Sequence, residues 1–172
     1  MDHASFLVDI LDNSGNIIGS KLRGDIDKSS EIYNGVFVIV KTSENELVLA
    51  SIPARTDLPN LYTGLLGATA ATIRRQHETS SQAATRAAKN ELGLADATLA
   101  FLGEGMAELS NGKHSFISVF VASSDMPQNY SKEDVGELKK FSQYDFENIM
   151  QTSPQTIAPT LQYIWQKYSS AL

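Results

Sequence analysis

The sequence predicts an α/β fold, on three observations. Short β-branched runs recur in pairs around Gly/Asn turns, a central stretch carries helix start and stop signals around a small-residue face, and the C-terminal stretch repeats apolar residues at helical spacing. "FLVDIL" (Phe6 to Leu11) and "IIGSKLR" (Ile17 to Arg23) flank the turn "DNSGN" as a first hairpin. "GVFVIV" (Gly35 to Val40) and "ELVLASI" (Glu46 to Ile52) flank "KTSEN" as a second, apolar enough for the centre of a sheet. A loop with Pro53, Pro59 and Gly64 leads into "LLGATAATI", whose small residues allow close approach of backbone or ligand.

Thr79-Ser-Ser-Gln82 has capping-box spacing and Gly93 can adopt the left-handed conformation that ends a helix, so a helix is expected from about Ser80 to Leu92. Ala83, Ala84, Ala87, Ala88 and Leu92 supply a thin apolar face for it. "TLAFLGEGMAEL" and "HSFISVFVAS" form the clearest hairpin, because Asn111-Gly112 is a strong turn signal. "GELKKFS" reads as a short polar strand. Leu161, Ile164, Trp165, Tyr168 and Leu172 place a final helix after Pro159, which fits only a first turn. No repeat or linker divides the 172 residues, so one domain is expected over 1–172.

Composition excludes several functions. A net charge of -6 argues against a general nucleic-acid binder, whose affinity rests on cations. The absence of cysteine removes disulfides, thiolate metal ligands and thiol nucleophiles, and fits a cytoplasmic location. No secretory start or long apolar run is present, so no membrane association is expected. Oligomeric state is left open, a homodimer included.

The chemistry concentrates in "TIRRQHETSSQAATRAAKNELGL", Thr72 to Leu94. Glu78 precedes the helix cap and Glu91 lies near the helix end, so the two can converge, with Arg86 placed to hold one carboxylate. This stretch resembles the Nudix hydrolase signature G-x5-E-x7-R-E-U-x-E-E-x-G-U, where U is a bulky aliphatic residue. Glu78 is followed by seven residues and Arg86, and "NELGL" falls where E-E-x-G-U belongs. "VDILDNSGNIIG", "LPNLYT" and "EDVGELKKFS" extend the similarity along most of the chain. Their order looks most like the branch containing isopentenyl diphosphate isomerases. The resemblance implies an α/β/α sandwich around a mixed sheet. It also implies hydrolysis of a diphosphate linkage in a nucleotide-like or other small molecule, with Mg2+ or Mn2+ held by glutamates of the helix.

Carried over position by position, the resemblance makes Glu91 and Glu78 metal ligands. Glu78, Arg86 and Glu91, with Glu137 as a later acid, form the catalytic set. Glu104, Glu108, Glu133 and Asp134 are further candidates for that acid. Arg74, Arg75 and His77 are the expected substrate-binding residues, because they add positive charge before a helix N-terminus. Four departures weaken the metal face: Thr72 and His77 replace glycines, and Ala87 and Asn90 replace glutamates. "LVLASI" also lacks the arginines common in relatives. The isomerase reaction as the family performs it needs a cysteine, which this chain lacks. The alternative is a catalytically silent Nudix-fold module that binds a nucleotide or a protein.

Overall fold

The fold is described from a computed structural model over residues 5–54 and 61–172. Leu58, Pro59 and Asn60 of "LPNLYT" lie outside the described residues.

β1 (Leu7–Leu11) and β2 (Ile17–Leu22) pair antiparallel as a separate ribbon. Their turn follows from Asp12, whose carboxylate accepts the Ser14 and Asn16 N–H groups, and from Gly15 at φ +83°. The main sheet has seven strands: β3 (Asn34–Lys41), β4 (Leu47–Ser51), β5 (Leu66–Gly67), β6 (Ala70–Ile73), β7 (Leu99–Glu108), β8 (His114–Ser123) and β9 (Leu138–Phe141). β3 runs parallel to β8 from Asn34↔Phe116 to Lys41↔Ser123, and the other pairings are antiparallel, so the sheet is mixed.

The expected second hairpin is splayed. β3 and β4 pair only at Val40↔Val48 and Lys41↔Leu47, after which β6 lies beside β3 and β5 beside β4. Thr69 fills this fork. Fully buried, its Oγ1 accepts the Val40 N–H at 2.7 Å and donates to the Val48 carbonyl, satisfying backbone groups that the diverging strands cannot pair.

α1 (Ser80–Leu92) starts with both halves of the capping box and ends at Gly93 with φ +71°. Its Ala83, Ala84, Ala87, Ala88 and Leu92 are buried, and Ala83, Ala84, Ala87 and Leu92 share a core with Val36, Val38, Val40, Val48 and Ala70. The alternating residue Ile39 enters the opposite core, with Phe37 packed against it, as the two-residue period of a strand requires. That second layer is α2 (Gln143–Thr152) and α3 (Pro159–Tyr168). α2 was not anticipated. Its sequence is polar and only Phe146 is fully enclosed, but Ser142 caps it and the Phe146 ring meets Trp165 edge-on with centroids 4.9 Å apart. The two layers around the mixed sheet make the α/β/α arrangement that the resemblance implied. No helix among the described residues is long and apolar enough to cross a membrane.

Candidate active site

Arg86 organises the first half of the signature. Its Nε and Nη2 donate to the two oxygens of Glu78, both at 2.8 Å, while Nη1 reaches Thr72 Oγ1 and Nη2 also reaches the Ile73 carbonyl, each at 3.0 Å. Glu78 Oε2 accepts the Arg75 N–H as well, at 2.9 Å. This forked pair ties the start of α1 to the end of β6. Burial pushes the Glu78 carboxyl up, but the Arg86 hydrogen bonds, the Arg75 N–H and the charges of both arginines outweigh it and hold it below its ordinary value. Both Glu78 oxygens thus face the scaffold in this structure, Oε1 taking a bond from Arg86 and Oε2 bonds from Arg86 and Arg75. The reason is geometric: His77 takes φ +64°, a left-handed turn suited to the glycine of relatives, and that turn folds Glu78 back over Arg75.

A loop places acids beside the second half of α1. The Ser131 N–H donates to the Glu91 carbonyl at 2.7 Å, and a Cβ at Gly93 would stand 2.6 Å from the Asn129 carbonyl, so the loop rests directly on the helix end. Gly93 is thus required twice, for its backbone angle and for this close approach. Val135, buried, and Ser131 Oγ, 2.8 Å from Asp134 Oδ2, fix the turn that follows. Glu133 and Asp134 therefore join Glu91 and Asn90 around a cleft of about 130 Å³.

Cations line the same cleft. Arg75 and Arg23 border it with Phe6, whose ring lies beneath both guanidinium groups, 4.6 Å from Arg75 Cζ and 5.4 Å from Arg23 Cζ. Arg75 Nε is buried and has no hydrogen-bond partner among the described residues. Arg86 and Thr72 complete the lining.

The substrate-binding candidates separate. Arg75 lines the cleft, whereas Arg74 and His77 are not among its lining residues. Arg74 lies 4.0 Å from Asp9 and continues the strand ladder by donating its N–H to Asn34, and His77 is exposed. Among the acids, Glu137 is also outside the cleft: its backbone pairs with Ser51 and its exposed carboxylate lies 3.2 Å from Lys139. Glu104 is engaged elsewhere too, accepting from Ser80 and Ser118. Arg23 and Phe6 were not singled out in the sequence. Their only signal was position, at the end and start of the first hairpin, and nothing local shows that this ribbon folds onto α1.

Among the described residues no group of three His, Asp or Glu side chains forms a metal cage. Mg2+ is commonly held by one or two carboxylates, with ligand phosphates and water completing six oxygens. Glu91, Glu133 and Asp134 line the cleft without forming a cage, so only that shared mode is compatible with them. Ala87, where relatives carry a glutamate, is fully enclosed in the core, while Asn90 is exposed at the cleft.

No protein-family model and no curated protein matches the sequence. Solved structures do. DR0079 from Deinococcus radiodurans aligns with a TM-score of 0.78 at 16% identity, covering 94% of this chain and 98% of that one. A MutT protein from Methanosarcina mazei Go1 aligns at 0.62 and 14% identity, over 81% and 94%. A Nudix hydrolase from Nitrosomonas europaea aligns at 0.55 and 17% identity, over 80% and 88%. At such identities the likeness speaks for architecture, and the architecture of this chain is the Nudix fold.

Proposed function

We propose that the cleft beside α1 binds the diphosphate of a small molecule and that the chain hydrolyses this linkage with Mg2+ or Mn2+ held more weakly than a full glutamate set would hold it. One observation carries the reading: a single small cleft is lined both by arginines, one of them Arg75 with a buried, unpartnered Nε, and by the carboxylates of Glu91, Glu133 and Asp134. A ligand that uses both sets must be an anion that also binds a cation, and a diphosphate is both. The fold shared with structures described as a Nudix hydrolase and a MutT protein supports the same reading.

In this reading Arg75 and Arg23 bind phosphate oxygens, and Arg86 acts through Glu78 and Thr72 to hold the cleft lining in register. Glu91, with Glu133 or Asp134, would hold the metal. A bound Mg2+ neutralises phosphate charge and makes water a better nucleophile. The remaining carboxylate of the three orients the attacking water, which adds to phosphorus as the bridging oxygen leaves. The second reading, a silent module that binds the same ligand without cleaving it, is favoured by the enclosed Ala87 and by Asn90, which remove two of the negative charges that hold metal in relatives.

A panel of diphosphate-linked compounds incubated with Mg2+ or Mn2+ separates the two. The hydrolase reading expects phosphate or monophosphate release from at least one compound, abolished in Glu91→Gln. Binding of a compound without any cleavage, unaffected by metal, would leave the module.

A further inference from the structure

A second cavity adjoins the cleft. It measures about 560 Å³, within the range that holds small organic ligands, whereas the cleft alone is too small for one. The two cavities share Arg23, Ala71 and Thr72 as lining residues, so the chamber lies directly beside the cleft. The floor follows from strand alternation: Gly35 and Phe37 are two apart on β3, and their β6 partners Ile73 and Ala71 line the chamber with them. Gly35 is needed there because the Phe37 ring lies over it, 3.0 Å from where a Cβ would stand. Tyr33 and Tyr62 add two more rings. Three aromatic residues in one chamber favour a planar occupant.

The polar end of the chamber is asymmetric. Lys113, on the turn between β7 and β8, places Nζ 5.8 Å from the centroid of the Tyr33 ring and donates to the Lys28 carbonyl. An ammonium has three N–H groups and accepts nothing, so two donors remain once that bond is made. Burial lowers the Lys113 pKa from its ordinary value and the charge of Asp27 opposes that shift, as befits a half-buried cation facing an anion. Asp27, whose charge acts on Lys113, is held by its own turn: Oδ1 accepts from Ser29 N and Oγ at 2.9 and 2.5 Å, and Oδ2 from Ser30 Oγ at 2.6 Å. Those bonds hold its pKa down at about 2. Lys113 therefore brings N–H donors to this end of the chamber.

We propose that the chamber takes a planar ring bearing a hydrogen-bond acceptor, a carbonyl or carboxylate, and that Lys113 is the residue that selects it. This rests on the reading that the cleft holds a diphosphate. A ring that presents an amino group instead would set donor against donor and leave the ammonium unpaired, which is the costly case for a half-buried charge.

UDP and CDP differ at C4, a carbonyl against an amino group, and at N3, which carries a proton only in UDP; IDP and ADP differ in the same sense at C6 and N1. Calorimetric titration of the wild-type chain in Mg2+ should show the carbonyl member of a pair binding roughly tenfold or more tightly, since hydrogen bonds to charged groups are worth about 1.5–3 kcal/mol. Lys113→Met should abolish that preference while leaving pyrophosphate affinity unchanged. Equal affinities within both pairs in the wild type, which needs no variant to measure, overturn the proposal, as does a preference that survives in Lys113→Met. Pyrophosphate binding without any gain for either nucleotide pair would overturn the chamber assignment and spare the cleft. Loss of pyrophosphate binding as well would remove both.

Discussion

The two halves of α1 keep unequal shares of the signature that the sequence resembles. Around its N-terminal half, Glu78, Arg86, Thr72, Ile73 and Arg75 form a closed hydrogen-bonded corner that positions the helix on β6. Around its C-terminal half, Ala87 is sealed in the core, Asn90 stands at the cleft, and the acids come from the loop carrying Glu133 and Asp134. The part of the pattern that builds the scaffold is kept, and the part that concentrates negative charge is thinned. Scaffold and chemistry are separable in this fold because different faces of one helix carry them.

The largest effect is expected at Ala87. Ala87→Glu would restore the pattern on paper but place a carboxylate among Val36, Val38 and Ala84, so it should lower unfolding free energy by about 4 kcal/mol in a urea titration. Tolerance of that change would mean that the position opens to the cleft after all. Next comes the corner. Glu78→Gln leaves a partly buried guanidinium without its charge partner and should cost about 3 kcal/mol.

The same pair carries a pH signature. The folded carboxyl of Glu78 lies below its ordinary value of 4.5, so its contribution to stability is complete above that value and is lost as pH falls through the folded pKa. As pH falls below 4.5 the wild type should therefore lose more stability than Glu78→Gln. Parallel losses would contradict the assignment. The smallest effect on folding belongs to Asn90→Glu at an exposed position, within about 0.5 kcal/mol. Its consequence falls on metal: Mg2+ binding in the presence of pyrophosphate should tighten roughly tenfold, about 1.4 kcal/mol.

Legibility in the sequence divided along physical lines. Local signals read true: the capping box at Thr79–Gln82, the stop at Gly93 and the Asn111-Gly112 hairpin each depend on a few neighbouring residues. The fork at Thr69 was hidden, because a buried threonine bridging two diverging strands joins groups twenty or more residues apart. So was α2, whose single enclosed residue leaves almost no period to detect. At the site, spacing placed Arg86 to hold a carboxylate, and it holds Glu78. Spacing did not show that the loop brings Glu133 and Asp134 to the cleft beside Glu91, or that the first hairpin brings Arg23 and Phe6 to it. Those are facts of chain packing between distant segments.

If the cleft holds a diphosphate between Arg75 and the carboxylates of Glu91, Glu133 and Asp134, calorimetric titration of pyrophosphate into the wild type and Arg75→Gln, with and without Mg2+, should show it. Mg2+ should strengthen binding, and Arg75→Gln should weaken it roughly tenfold or more, the value of a charged hydrogen bond. Affinity indifferent to both Mg2+ and Arg75 would rule the diphosphate cleft out.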